Sequence, residues 1–262
     1  MAKRPIIGLN MSLDKVDKYE KYGLLVPLGY VDSVVGAGGI PLCLPPYPDL
    51  TMVRGIMPTL DGVLFIGGDD YRPEHYGGRP QPDDELIPER RDCFDLALAK
   101  LVLQKTELPV LGICGGHQLI SIAQDGALVQ DIRTEWNCPA GCVPLPHSRK
   151  ERNDEEGKAF RHPVRLDKDS LIEQVMQIQP GVSLMTNSTH HQSVRPTSIG
   201  RDLRASAWTE DGVIEAIEPS TESPWARLGR FVLGVQWHPE QMQDETPHRN
   251  IFRAFIEAAQ KK

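Results

Sequence analysis

Apolar positions along the chain fall into two textures. Short runs at Ile6–Leu9, Ile40–Leu44, Val63–Ile66, Val110–Ile113 and Phe231–Trp237 have the length and composition of strands buried on both faces. Between the first four, apolar residues recur at helical spacing. Leu25, Leu28, Val31, Val34 and Val35 predict one helical face, ended by Gly36-Ala37-Gly38-Gly39. A weak helix is expected after Asp49, and a longer one from Pro88 to about Gln104 that buries Phe94, Leu98, Leu101 and Val102. The polar stretch Ser12 to Lys21 predicts a loop, and the proline-rich stretch Arg72 to Pro88 predicts a long irregular loop over the sheet edge.

Strands alternating with helices predict an α/β fold, a doubly wound, mostly parallel sheet flanked by helices. From His162 onward the texture changes to strands and turns: His162–Leu166, Val182–Met185, Ala205–Trp208, and Val213–Ile217 after Glu210-Asp211-Gly212. These predict a small added antiparallel strand region in the C-terminal half. A last helix has Ile251, Phe252, Phe255, Ile256 and Ala259 on its apolar face. Residues 1–262 are expected to form a single domain.

Charge and cysteine usage narrow the partner class. The net charge of -7 leaves no electrostatic footprint for nucleic acid or an anionic membrane, and no apolar run reaches the length of a membrane span. A small-molecule partner is expected. Five cysteines, an odd number without a framework spacing, point to free thiols in a reducing compartment, so the cytoplasm is the expected location. Lys3-Arg4 followed by Pro5 to Leu9 reads as a first strand rather than a signal peptide. Cys138, Cys142 and His147 offer three zinc ligands with no second pair, so no metal is expected. The polar segment Ser148 to Lys158, with both signs of charge, predicts a solvated loop. The glycines at 36, 38 and 39 follow a helix instead of opening one, which excludes a dinucleotide loop.

The candidate chemistry centres on Gly112-Ile113-Cys114-Gly115-Gly116-His117-Gln118, where a buried strand runs into a helix with Cys114 at the joint. A tight strand–helix bend presents one side chain, and flanking glycines leave room for it. The helix N-terminus favours a thiolate there and offers N–H groups to an oxyanion. A second strand delivers His238-Pro239-Glu240, in which the carboxylate can orient the imidazole as a base for the thiol. Gly67-Gly68 at the end of another strand offers bare backbone N–H groups.

Together these motifs resemble the class I glutamine amidotransferase superfamily. Gly67-Gly68-Asp69 with Pro73 and Tyr76, Arg91-Asp92 with Phe94, Gln130-Asp131-Ile132, Asn187-Ser188 with His190-His191-Gln192, and Asp211-Gly212-Val213-Ile214-Glu215-Ala216 extend the resemblance to its gamma-glutamyl-gamma-aminobutyrate hydrolase group. The resemblance implies Cys114 as nucleophile, His238 as base and then acid, and Glu240 as its orienting partner. It implies an oxyanion hole from Gly115 with Gly67 or Gly68, and substrate contacts from Gln118, His190, His191 and Gln192, the last three largely through backbone. No metal or organic cofactor is implied.

The implied reaction cleaves a γ-glutamyl amide through a thioester. One departure stands out: the hydrolase group usually carries arginine directly after the nucleophile, where this chain has Gly115. Two other readings stay open. One is a glutaminase subunit that would need a partner synthetase; the other is a non-catalytic ligand-binding module on the same fold. Association into a homo-oligomer stays open as well.

Overall fold

The computed structural model describes residues 3–16, 21–82, 84–148, 160–178 and 183–261. The N-terminal half runs through β1 (Ile6–Asn10), β2 (Ser12–Val16), β3 (Lys21–Leu25), α1 (Leu28–Gly36), β4 (Ile40–Leu44), α2 (Leu50–Ile56) and β5 (Gly62–Phe65). A connection with a 3-10 turn at Pro73–Tyr76 leads to α3 (Glu89–Lys105), and β6 (Val110–Ile113) then passes straight into α4 (Gly115–Ala123). After β7 (Leu128–Val129) and α5 (Ile132–Glu135) come β8 (Phe160–Leu166), α6 (Leu171–Met176), β9 (Leu184–Ser188) and β10 (Ser193–Val194). The chain ends with β11 (Leu203–Thr209), β12 (Ile214–Pro219), α7 (Pro224–Arg227), β13 (Val232–Val235) and α8 (Thr246–Gln260).

Nine strands form one sheet in the order β4-β1-β5-β6-β13-β12-β11-β8-β9. The first five are parallel, as the strand–helix alternation predicts. The C-terminal strands extend the same sheet by antiparallel pairing. Every residue of β5, β6 and β13 is buried, which is why these strands read as unbroken apolar runs.

Their side chains alternate between two cores, as pleating requires. Leu64, Leu111, Ile113, Leu233 and Val235 face a core built with α1, α6 and α8, and Val63, Phe65, Val110 and Val232 face one built with α2, α3 and α4. Each fully buried Leu, Ile or Phe contributes about 1.5–3 kcal/mol, which holds these two layers against the sheet beneath the site.

Several elements differ from the sequence reading. Of the expected loop from Ser12 to Lys21, Ser12–Val16 and Lys21 instead lie in a paired antiparallel ribbon, with Ser12 opposite Leu25 and Val16 opposite Lys21, and residues 17–20 lie outside the described residues. The ribbon stands apart from the main sheet, so its strands carry no buried apolar run to announce them. The first helix is rotated from the predicted face. Leu28 and Val35 are exposed at 72% and 50%, while Tyr30, Ser33 and Val34 are buried, because the helix begins after Pro27 and presents Tyr30 to the sheet edge. Leu101 is only half-buried. The strand expected at Val182–Met185 runs from Leu184 to Ser188, and Val182 lies outside the described residues. Of the charged segment, Ser148 is buried and residues 149–159 lie outside the described residues.

No helix among the described residues is long and apolar enough to cross a membrane. On α8, His248 is buried and its Nδ1 accepts the indole N–H of Trp237 at 3.2 Å. Burial lowers its pKa to about 4 against an ordinary value of 6.5. Because the folded value is depressed, this neutral imidazole contributes stability above pH 6.5 that is lost as pH falls towards 4. His248→Asn keeps an acceptor at the Nδ1 position without the titration. In urea unfolding it is expected to lose about 2–3 kcal/mol less than the parent between pH 7 and pH 4.5. Equal losses would show that His248 does not carry the acid sensitivity.

Candidate active site

Three adjacent parallel strands deliver the candidate groups to one sheet edge. β5 ends in Gly67-Gly68, β6 in Cys114, and β13 leads to His238 and Glu240. β6 and β13 are in register, with Gly112 opposite Gly234 and Ile113 opposite Val235, and the Cys114 N–H donates to the Val235 carbonyl at 2.8 Å.

Cys114 adopts φ 53°, ψ -109° at the N-cap of α4 and is 7% exposed. That conformation is sparsely populated for a residue with a side chain and costs on the order of 1–3 kcal/mol, as at a nucleophile elbow. The bend is tight enough to dictate its neighbours. A Cβ on Gly116 would overlap the Phe65 carbonyl, and one on Gly112 would meet the Gly116 carbonyl. Gly115 is under less pressure, since a Cβ there would meet nothing nearer than the Gly68 nitrogen at 3.4 Å, an ordinary contact.

His238 Nδ1 lies 2.7 Å from Glu240 Oε1. Burial alone would lower the imidazole pKa, but the negative charge and hydrogen bonding of Cys114 and Glu240 outweigh it and hold His238 well above its ordinary value. The backbone of His238 is fixed from β9. Asn187 Oδ1 accepts the His238 N–H at 2.8 Å, and its Nδ2 donates to the His238 carbonyl at 3.2 Å.

Of the two glycines after β5, the structure separates the roles. The Gly67 N–H donates to the Tyr30 hydroxyl at 3.1 Å. The Gly68 nitrogen lies beside Gly115, and neither the Gly68 nor the Gly115 N–H donates to a described residue. Tyr30 also places its hydroxyl 3.4 Å from His238 Nδ1. Burial and the nearby Glu240 charge push its phenol pKa well above the ordinary value, so the hydroxyl stays neutral. No sequence pattern singles out Tyr30, because its helix meets this loop only through the tertiary fold.

A buried polar scaffold holds the Gly67 turn. The Ile66 N–H donates to Asn10 Oδ1 at 2.8 Å, and Arg91 Nη2 donates to the Gly67 carbonyl at 2.8 Å. Asp95 Oδ2 ties both together, accepting from Asn10 at 2.8 Å, Arg91 Nε at 3.1 Å and the Tyr71 hydroxyl at 3.0 Å.

The remaining predicted contacts are distributed unevenly. Gln118 is buried on α4, its amide donating to the Gln192 carbonyl and to Gln236 Oε1, both at 3.3 Å. Gln236 in turn places Nε2 3.7 Å from the Cys114 sulfur, a neighbour the motif contains but its spacing does not distinguish. His191 Nε2 lies 3.0 Å from Asp70 Oδ1 and pins the segment after Gly68. The His190 imidazole turns away, with Nδ1 on the Gln192 carbonyl at 2.9 Å and Nε2 3.4 Å from Glu215, which leaves only its backbone to line the site. Cys142 is exposed with its thiol on the Glu210 carbonyl, whereas His147 is buried against Asp211.

Known proteins with related sequences share this frame. A putative glutamine amidotransferase-like protein of Rickettsia prowazekii is 30% identical, over 99% of both chains. A gamma-glutamyl-gamma-aminobutyrate hydrolase of Escherichia coli K12 is 26% identical over 99% of this chain and 95% of its own. Among solved structures, a putative GMP synthase subunit from Thermoplasma acidophilum superposes with a TM-score of 0.60 at 15% identity, covering 99% of this chain and 96% of that one. The sequence pattern of Peptidase C26 matches residues 5–240, spanning the Gly67 turn, Cys114 and the His238–Glu240 pair, and the chain belongs to the Peptidase C26 family.

Proposed function

We propose that the chain is a hydrolase of small γ-glutamyl amides that uses Cys114, His238 and Glu240 as a catalytic triad. The observation that carries this reading is a strained, buried cysteine at a helix N-terminus beside an imidazole held 2.7 Å from a buried carboxylate. Similarity over nearly the whole chain to a gamma-glutamyl-gamma-aminobutyrate hydrolase supports the substrate class.

In this mechanism the Cys114 thiolate attacks the side-chain amide carbon, and the carbonyl oxygen takes up negative charge between the N–H groups of Gly68 and Gly115. Protonated His238 gives its proton to the amide nitrogen, the C–N bond breaks and the amine leaves. A γ-glutamyl thioester remains on Cys114. His238, now neutral, takes a proton from water while the water oxygen attacks the thioester. The C–S bond breaks, glutamate is released, and the thiolate–imidazolium pair is restored. No cofactor is required in this reaction, and the partner it needs is the small γ-glutamyl substrate.

A glutaminase subunit acting with a synthetase is the second reading, favoured by one feature. Gly115 stands where the hydrolase group usually has arginine, although a Cβ at that position would make only ordinary contacts. A non-catalytic module is disfavoured by Cys114 itself, since a backbone costing on the order of 1–3 kcal/mol has no purpose without the chemistry.

The deciding experiment incubates the protein alone with a panel of γ-glutamyl amides, including glutamine and γ-glutamyl-GABA, and measures glutamate release. Cysteine-dependent hydrolysis is expected, with Cys114→Ala folded and inactive; full activity in that variant would remove the mechanism. Silence of the parent across the panel would favour the synthetase-dependent reading.

Two further substitutions probe the geometry. Glu240→Gln removes the charge that holds His238 protonated and is expected to lower kcat roughly 10²–10⁴-fold, as measured by steady-state kinetics. Tyr30→Phe frees the Gly67 N–H and loosens the turn. It is expected to reduce kcat about tenfold or more with little change in KM, and an unchanged kcat would exclude the hydroxyl from positioning the oxyanion donors.

A further inference from the structure

Outside the catalytic centre the fold gathers a second set of chemically capable side chains that the reaction above leaves unused. His147 precedes β8, His162 lies on β8, His190 follows β9 and Glu215 lies on β12. All four are buried, and one nitrogen or oxygen from each lies within 4.8 Å of the others. Glu215 Oε1 is their common focus, 3.4 Å from His190 Nε2, 3.7 Å from His162 Nε2 and 3.9 Å from His147 Nδ1.

Neither oxygen of Glu215, nor His162 Nε2, nor His190 Nε2 makes a hydrogen bond among the described residues. A buried carboxylate is costly unless its charge is compensated and its oxygens are engaged. The imidazoles could in principle compensate it by taking up protons. One protonated ring would balance the charge but would engage neither carboxylate oxygen at these distances, because charge-assisted N–H···O bonds close to about 2.7–2.9 Å, and the rings, with the His147 centroid 5.2 Å and 5.1 Å from those of His162 and His190, are too close for further imidazolium charges. Ligands held about 2.0–2.2 Å from one tetrahedral ion stand about 3.3–3.6 Å apart. His190 and Glu215 already have that separation, and the others reach it by small side-chain rotations.

The opposite nitrogen of each ring is held as a metal ligand's would be. His147 Nε2 is 3.1 Å from the Asp211 carboxylate, His190 Nδ1 is 2.9 Å from the Gln192 carbonyl, and His162 Nδ1 is 3.4 Å from the Thr186 hydroxyl. Such contacts fix the tautomer and ring orientation and raise the basicity of the ligating nitrogen.

We propose that His147, His162, His190 and Glu215 form a structural site for one divalent transition-metal ion of the zinc class. Three imidazoles and one carboxylate suit that ion, and four protein ligands leave no open position for a substrate. The ion fastens β8 and β12 to the segments carrying His147 and His190. Those connect directly to the catalytic edge, since the Glu215 carbonyl accepts the Gln236 N–H at 2.8 Å and the Gln192 carbonyl accepts from Gln118. The site is independent of the hydrolase reading, because the mechanism uses none of its four ligating side chains.

The test is metal titration of the full chain after chelator treatment. Co²⁺ is followed by visible absorption and displaced by Zn²⁺, with stoichiometry from elemental analysis and thermal unfolding with and without metal. One equivalent of Co²⁺ in a four-coordinate environment is expected, with displacement by Zn²⁺ and a higher unfolding midpoint when metal is bound. The absorption should be lost in Glu215→Gln and in His162→Gln, and kept in Cys114→Ala and in the double variant Cys138→Ser, Cys142→Ser. A folded parent chain that takes up no stoichiometric Co²⁺ or Zn²⁺ overturns the proposal, whatever the variants do. So does absorption that survives Glu215→Gln and His162→Gln but disappears with the cysteines.

Discussion

The seating of α4 between β5 and β13 is the contact on which the site depends. The helix starts with no residue to spare after β6, and its first turn lies against the Phe65 backbone on one side, where only a glycine at 116 fits. On the other side His117 packs against Gly234 of β13, where a Cβ would come within 2.9 Å of the imidazole. Because the helix is held on both flanks, Cys114 cannot relax to a lower-energy backbone without lifting α4 off the sheet. The strain is thus maintained by the packing of strands whose every residue is buried.

Electrostatic organisation follows from that placement. The thiol sits where the N-terminus of α4 favours negative charge, and the imidazole beside it is kept protonated by the combined pull of Cys114 and Glu240 against the cost of burial. Gly68, one of the two proposed oxyanion donors, follows a turn that the Asn10–Asp95–Arg91 scaffold holds by its backbone. A buried network of this kind is useful only when satisfied, since each unpaired member would cost about 1–3 kcal/mol. Tyr30 occupies the Gly67 N–H, while the N–H groups of Gly68 and Gly115 donate to no described residue.

The antiparallel half of the sheet is a second support for the same edge. Asn187 on β9 grips the backbone of His238 on both sides, and β12 pairs with β13 directly behind it. The buried imidazole–carboxylate cluster lies in this half, joining segments that the parallel half does not reach. Closure of that cluster around an ion would stiffen the antiparallel strands as a unit and, through Gln192 and Gln236, the wall beside Cys114.

The chain by itself determined the parallel strands, the strand–helix joint at Cys114 and the His238–Glu240 pair. These are written in local patterns: apolar runs of strand length, glycines at a bend, and two polar residues at a strand end. The pairing of β2 with β3 is not legible, because a ribbon off the main sheet needs no apolar run, and the face of α1 departs from its apolar pattern because Leu28 and Val35 are exposed while Tyr30 is buried. Only the tertiary structure decided that Gly68 rather than Gly67 keeps its donor free, since that depends on a hydroxyl 37 residues away in the chain. The same holds for His147, His162, His190 and Glu215, which come from four separate segments. No spacing relates them, and their convergence is set by the pairing of β8, β11 and β12 and by a buried charge that the surrounding groups have to balance.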